Sequence, residues 1–274
     1  MVIFKTDIPR DRAAMNVVLQ QREGTMVTPE SKTLENVKAA GLIPASSMKT
    51  QIASMFDKNR KGFEEQIQPG ELTIPRVKML QGLSPEVQEN PKTFYAGLLI
   101  NSITKEMLTE TFIPIRRMPN SWVRFNPRDS KAVGSVPDVK PGAVVWKSND
   151  PKDPRVIEDT KFGPNGEAPL ATSFLNFLCY FEGFTLPLLL SFGRTSYQPG
   201  KDFLTMAFGF GGDMYSRKYK LVAKQVTNDK GTFYVLNVTP AGKVSEDEMA
   251  IGATLFDAFG GEVKVHEEEE HETA

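Results

Sequence analysis

Two residue types that carry much enzyme and metal chemistry are scarce in this chain of 274 residues. It has one cysteine, Cys179, and two histidines, His266 and His271, which both lie among the last nine residues. A single cysteine permits neither an intrachain disulfide nor a thiolate zinc cluster. A histidine on a frayed terminus does not suit a serine or cysteine triad, which needs a rigidly held imidazole. We therefore expect no metal site, no cofactor, no catalytic residue and a buried, inert thiol at Cys179.

A long uninterrupted apolar run is also missing. Residues 1–7 contain no apolar core of a signal peptide. The most apolar window, residues 173–192, has the length of a membrane span but is interrupted by Asn176, Glu182 and Pro187. It therefore favours two buried strands joined at Glu182-Gly183. We expect no membrane partner and a cytoplasmic protein, in the host cytoplasm if the protein is viral.

Composition divides the chain into three parts. Residues 1–70 are polar and helical in pieces, which predicts a helical or mobile N-terminal arm, with helices over about 28–41 and 48–62. Residues 71–261 carry short apolar, β-rich runs between turn formers, which predicts a mainly β fold with α additions. Within them, residues 127–169 hold seven prolines and four glycines and are interpreted as an irregular insertion. Residues 262–274 form an acidic tail.

Local patterns place several elements in the second half of the chain. Strands are predicted over 171–181 and 185–192, and a short helix over 200–208. A hairpin is predicted from strands over 218–226 and 232–238. Ser245 and Glu248 have the spacing of a capping box, which predicts a C-terminal helix. Its predicted apolar stripe consists of Met249, Ala253, Phe256 and Phe259.

The formal net charge of −1 hides two opposite parts. Residues 262–274 contain six acidic residues and one lysine, so this tail carries −5 and the rest of the chain +4. Residues 112–131 hold five basic residues against Asp129 alone, and residues 191–230 hold seven against three acidic ones. Aromatic residues alternate with these cations. Cations that follow phosphates and rings that stack on unpaired bases are typical of single-stranded nucleic-acid binding.

Each of these signals has a simpler alternative. Lys218, Lys220 and Lys224 alternate with Tyr219 and Leu221, which is also the pattern of a solvated face over a buried one. Trp122 is equally compatible with a place in the core. The tail block Glu267–Glu270 repels itself and is expected to be disordered. It could compete with DNA for the basic surface, or serve solubility alone.

Several segments resemble the phage-type single-stranded-DNA-binding proteins, which have an OB-fold and an acidic C-terminal tail. The resemblance runs from about Glu71 to the end of the chain. Two features depart from this family's pattern: residues 127–169 contain no Cys or His, and the tail ends Glu272-Thr-Ala without an aromatic residue. The resembling segments are residues 74–82, Phe112–Arg116, Trp122–Arg128, Leu188–Ser196, Gly200-Lys201 and Tyr215–Lys220.

The resemblance implies an OB-like antiparallel barrel that binds and protects single-stranded DNA during phage replication or recombination, without enzymatic activity. The tail, residues Glu267, Glu268, Glu269 and Glu270, would compete with DNA or recruit replication and recombination proteins. Self-association into a homo-oligomer is left open. The predicted DNA-binding residues are Arg116, Arg117, Trp122, Arg124, Phe125, Arg128, Arg194, Tyr197, Lys201, Arg217, Lys218, Tyr219 and Lys220.

Two other classes of protein fit the sequence less well. A virion or replisome scaffold would use residues 1–70 and 127–169 as docking surfaces. A nuclease that holds its metal with carboxylates is the third alternative, although no carboxylate cluster stands out in the sequence.

Overall fold

Strands and a few helices make up the part of the chain that the computed structural model describes, residues 45–55, 61–62, 71–228, 231–261 and 264–265. The predicted helix over 28–41 and the tail block Glu267–Glu270 lie outside these residues. The elements are α1 (Ala45–Met55), β1 (Thr73–Ile74), β2 (Val77–Met79), α2 (Pro85–Glu89), β3 (Leu99–Asn101), β4 (Thr111–Phe125), β5 (Val144–Ser148), α3 (Pro154–Asp159), β6 (Ala171–Phe181), β7 (Leu188–Gly193), α4 (Tyr197–Gly209), β8 (Arg217–Asn228), β9 (Gly231–Lys243), α5 (Glu246–Ala258) and β10 (Lys264–Val265).

The main sheet is antiparallel and has the order β7-β6-β4-β8-β9, with β5 also paired to β4. β2 pairs with β3 in a small antiparallel sheet, and β1 pairs with β10 in parallel. The prediction of a mainly β fold with α additions is confirmed. A closed OB-like barrel stays a prediction.

Proline shapes β4, the strand that joins most of the sheet. The register with β6 shifts between Pro114 and Arg116, and again between Met118 and Ser121, across Pro119. Proline has no N–H to donate to a ladder, so a strand that contains one tends to bulge there. A bulge changes which side chains face which side of the sheet. Arg116 and Arg117 therefore lie opposite Leu178 and Phe177, which belong to different core clusters.

The two faces of the sheet bury two cores. One core contains Phe112, Phe177 and Phe192, closed by Phe203 of α4. The other lies under α1 and α5, where Ile52 packs with Ile251 and Leu255 in the same cluster. Cys179 is fully buried in the first core, as predicted, and burial raises its pKa well above the ordinary value.

One segment contacts both outer strands of the sheet. The backbone N–H of Leu189 in β7 donates to Pro75 O at 2.8 Å. Six residues later, the Gln81 amide exchanges two hydrogen bonds with the backbone of Tyr234 in β9, at 3.0 and 2.9 Å. Residues 75–81 thus connect β7 and β9, the two outer strands, which do not pair with each other in the sheet.

Several predicted elements are confirmed with adjusted bounds. The capping box at Ser245 is present, with both of its reciprocal hydrogen bonds. The predicted stripe of α5 is confirmed at Phe259, which is fully buried, and is wrong at Phe256, which is 38 % exposed. Ile251 and Leu255 are buried with Phe259. The insertion over 127–169 is less irregular than expected, since it contains β5 and α3. The helix predicted over 48–62 begins at Ala45 and is described as far as Met55.

Candidate nucleic-acid interface

A basic groove of about 320 Å³ lies where β4 ends and β6 begins. Three arginines and one aromatic ring line it, and none of its nine lining residues is acidic. Four of the predicted DNA-binding residues, Arg124, Phe125, Arg128 and Arg194, are brought together here. The complete lining of this groove is Arg124, Phe125, Pro127, Arg128, Gly134, Pro169, Leu170, Thr172 and Arg194.

Arg124 is fixed as part of the groove wall. Its Nη1 donates to Asp159 Oδ2 at 3.0 Å, and its Nη2 donates to Gly134 O at 2.9 Å. The Trp146 indole N–H donates to the same Asp159 oxygen at 2.9 Å. The Arg124 side chain is 19 % exposed. Its charge is already matched by Asp159, so it holds the wall more directly than it offers an unpaired cation.

Glycine at position 134 lets the insertion close over the groove. Gly134 has φ +85°, and a Cβ there would lie 2.6 Å from Leu170 Cδ2. A larger residue would therefore meet both backbone strain and a clash. The carbonyl that Arg124 binds is thus presented by a position that favours glycine.

Arg194 enters the groove directly after β7. Its φ is +51°, in the left-handed region that is uncommon for residues other than glycine. Its guanidinium carbon lies 5.1 Å from the centre of the Phe125 ring. Backbone strain of this kind often marks a functional position. The guanidinium groups of the exposed Arg194 and Arg128 can each donate two hydrogen bonds to a phosphate. The half-buried Phe125 ring beside them offers an aromatic surface.

A second set of basic residues, the β8 basic cluster, consists of Arg217, Lys218 and Lys220. Lys218 Nζ lies 2.9 Å from Glu248 Oε1, and Lys220 Nζ lies 2.8 Å from Glu110 Oε2. Burial alone would raise the Glu248 pKa, but hydrogen bonds from the Ser245 backbone and from Lys218 outweigh it, so the pKa is lowered. Both lysine charges in this cluster are therefore matched by carboxylates.

The structure does not bring the groove and the β8 basic cluster together. Lys220 pairs with Thr111 at the start of β4, whereas Arg124 lies near its end. At the usual rise of a strand, these positions are about 40 Å apart along β4. These two basic regions occupy opposite ends of one strand.

The predicted stacking role of Tyr219 is wrong. Tyr219 is 1 % exposed and its ring packs 5.0 Å from the ring of Phe203. Burial raises its pKa. The aromatic in the alternating pattern faces the core, so no base can reach it. Trp122 and Tyr197 are half-buried and pack against the Trp146 cluster and the Phe203 core, respectively.

Three more predicted contacts lie outside the groove. Arg116 donates to Gly260 O at 2.6 Å, and its guanidinium carbon lies 4.3 Å from the centre of the Phe256 ring, so it covers the end of α5. Arg117 is half-buried over Phe177, and burial lowers its pKa despite the opposing influence of Tyr197. Lys201 is exposed on α4.

Sequence reasoning missed Asp159 as part of the groove wall. The residue is 9 % exposed and joins Arg124 to Trp146. A signal was available, because Val156 and Asp159 are three residues apart and share the buried face of α3.

One comparison with known proteins gave a match. A family model described as Pam3 phage gp34-like protein matches residues 45–263. The chain belongs to this phage protein family. The match begins where α1 begins and includes the whole groove and the β8 basic cluster. Neither the curated proteins nor the solved structures gave a significant match.

Two further observations concern the described ranges alone. No helix within them is long and apolar enough to cross a membrane. No group of three or more His, Cys, Asp or Glu side chains within them is arranged to hold a metal ion.

Proposed function

We propose that this phage protein binds single-stranded DNA without enzymatic chemistry and with little sequence specificity, and that the groove is its main contact with the strand. The observation that carries the proposal is the groove itself, where three arginines and the Phe125 ring meet. Phosphates would bind Arg128 and Arg194, and an unpaired base would stack on Phe125. Such contacts read little base identity.

Contacts of one segment with both outer strands support the OB-like part of the proposal. Residues 75–81 hydrogen-bond to β7 at one end and to β9 at the other. We propose that this segment completes an OB-like barrel around the core of Phe112 and Phe177. We also propose a role in phage DNA replication or recombination, which accords with the proposed ligand.

The acidic tail is proposed to compete with DNA and to recruit partner proteins. β10 pairs with β1, and Pro75, just after β1, bonds Leu189 of β7. Leu189 precedes Arg194 by five residues, about 16 Å along an extended strand. Nine residues follow Val265, with a maximal reach of about 30 Å. The chain after β10 is therefore long enough to reach the groove.

The test is fluorescence anisotropy of a labelled oligo-dT of about 20 nucleotides, longer than the site of one OB-fold. Titrations at about 50 and 200 mM salt measure the electrostatic part of binding. The Arg128→Ala/Arg194→Ala variant should bind at least about tenfold more weakly at low salt, and its salt slope should fall by about 0.7 per lost phosphate contact.

The matched control is Lys92→Ala/Lys152→Ala, which removes the same charge from exposed positions outside the groove. It should bind almost like the wild type. Equal loss in both variants would assign binding to net charge and reject the groove. Absence of wild-type binding at low salt, with or without residues 266–274, would reject DNA binding and favour a scaffold.

A further inference from the structure

Helix α4 runs from the groove to two exposed phenylalanines. It begins three residues after Arg194 and ends at Gly209, between Phe208 and Phe210. Phe208 is 88 % exposed and Phe210 is 41 % exposed. At the rise of an α-helix, the 13 residues of α4 span about 20 Å between its groove end and these rings.

The turn after α4 presents these rings openly. Gly211 has φ +67° and Gly212 has φ +75°, conformations that favour glycine and direct the chain away from the helix. Lys201 and Phe208 are seven residues apart, so both lie on the exposed face of α4. A strand that leaves the groove along α4 would therefore pass a cation and then an aromatic ring.

The groove and this turn share one arrangement of side chains. In the groove, the Arg194 guanidinium lies 5.1 Å from the centre of the Phe125 ring. At the turn, the Arg217 guanidinium lies 4.1 Å from the centre of the Phe210 ring. In both pairs a cation is placed at an aromatic ring, an arrangement that suits a base with its phosphate. An arginine–phenylalanine pair thus stands at each end of α4.

Single-stranded nucleic acid is the ligand that fits both ends. Bases in a duplex are already stacked on both faces, whereas an unpaired base offers a face to an aromatic ring. Two carboxylates, Asp202 and Asp213, are exposed nearby, and Gln198 donates to Asp202 at 2.8 Å. Their two negative charges equal in number the positive charges of Lys201 and Arg217, so stacking rather than net attraction would dominate here.

We propose that Phe208 and Phe210, with Arg217, form a second stacking platform for bases of the strand that occupies the groove. This inference rests on the proposed function of the groove and specifies the path of the strand along α4. A span of about 20 Å corresponds to about six nucleotides at the stacked spacing of 3.4 Å, and to fewer when the strand is extended.

The experiment measures affinity for oligo-dT as a function of length, in wild type and in Phe208→Ala. Wild-type affinity should rise when the length passes from about three to about six nucleotides, because the longer strand reaches the turn. Phe208→Ala should bind the longer oligonucleotides at least about fivefold more weakly than wild type does, which corresponds to the smallest free energy expected for one stacked base. The shortest oligonucleotides should bind both proteins equally.

Two variants serve as controls. Phe208→Trp should keep the gain with length, and its added indole fluorescence should be quenched by oligonucleotides of about six nucleotides but not by those of about three. Tyr95→Ala removes an aromatic side chain that is 45 % exposed on the loop after α2, and it should leave the whole length profile unchanged.

The outcomes separate this inference from the proposed function. If Phe208→Ala and wild type have the same length profile while Arg128→Ala/Arg194→Ala binds weakly, the platform is rejected and the groove stands. If the wild type binds no oligonucleotide of any length, both the platform and the groove are rejected. If Phe208→Ala changes the sedimentation of the free protein but not its length profile, Phe208 belongs to a contact between copies and the platform is rejected.

Discussion

The two ends of β4 carry similar numbers of cations in different settings. At its end, Arg128 and Arg194 line a groove whose nine lining residues include no carboxylate. At its start, Lys218 and Lys220 each lie within 3 Å of a carboxylate oxygen, from Glu248 and Glu110. By sequence, Arg194 belongs to the same basic stretch, residues 191–230, as Lys218 and Lys220. The structure shows that the groove places arginines beside an aromatic ring, whereas both lysines of the β8 basic cluster lie against carboxylates.

The wall of the groove depends on the buried carboxylate of Asp159, and we expect the largest effect from removing it. Asp159→Ala removes the partner of both Arg124 and the Trp146 indole. Breaking a buried ion pair leaves the remaining charge without compensation and costs about 3 kcal/mol. We expect the free energy of unfolding, measured with urea, to fall by about this amount, and oligo-dT binding to weaken because the groove wall moves.

Glu158→Ala is the matched control on the same helix. Glu158 is 78 % exposed and pairs with Lys161, which is 61 % exposed. An exposed pair of this kind is worth less than about 1 kcal/mol. Equal destabilisation in the two variants would show that α3 itself, rather than the contact of Asp159 with Arg124, supports the groove.

The fold was more predictable than the site, for a physical reason. Periodicity and caps act locally, so the hairpin of β8 and β9, helix α4 and the capping box at Ser245 follow from short stretches of sequence. The groove depends on contacts between distant residues, such as the pairing that brings Arg124 next to Ala171 and the turn that points Arg194 at Phe125. The alternation of basic and aromatic residues identified these arginines as candidates but did not show that they lie close together.

The failures have the same origin. Tyr219 alternates with lysines, and that pattern does not reveal which side of β8 is buried until β4 and Phe203 cover one of them. The stripe of α5 was misplaced because α1 packs on it and buries Ile251 and Leu255 instead of Phe256. In both cases, packing against another element of the fold decided which face was buried.

Deleting residues 266–274 is expected to tighten oligo-dT binding several-fold at low salt. The deletion removes five glutamates but keeps Val265 paired with Ile74. The gain should shrink at high salt, because the competition is electrostatic. In the Arg128→Ala/Arg194→Ala background the deletion should bring little gain, since the site of competition is already lost.

A tail of the same length with glutamine in place of all five glutamates is the control for this deletion. It should bind as tightly as the deletion variant if charge is what competes. An equal gain in the wild-type and arginine-variant backgrounds would contradict competition at the groove. It would instead assign the effect to long-range repulsion by the tail.

The ion pair of Lys220 with Glu110 is expected to matter little for binding. Glu110→Gln/Lys220→Met removes both partners of one ion pair and leaves the net charge unchanged. Their side chains are 54 % and 51 % exposed, so the free energy of unfolding should change by less than about 1 kcal/mol. Oligo-dT affinity should stay within about twofold of wild type, and the salt slope should not change. A slope reduced by about 0.7 would show that Lys220 leaves Glu110 to contact a phosphate.

The smallest effect concerns acid stability at this same end of β4. Glu248 has a lowered pKa in the folded protein: burial raises it, but hydrogen bonds from Ser245 and Lys218 lower it by more. Its contribution is therefore complete above the ordinary value near 4.5 and is lost as the pH falls through the lower folded pKa. Glu248→Gln keeps the shape of the capping box, so at neutral pH it should cost on the order of 0.5 kcal/mol.

Urea unfolding over a pH series measures this difference, with Glu246→Gln as the control in the first turn of α5. The difference between wild type and Glu248→Gln should shrink as the pH falls below 4.5 and vanish once Glu248 is protonated in the folded state. A difference that is independent of pH would mean that glutamine disturbs the cap rather than the charge. In that case Lys218 is not held by Glu248, and the contrast between the two ends of β4 would lose one of its two lysine pairs.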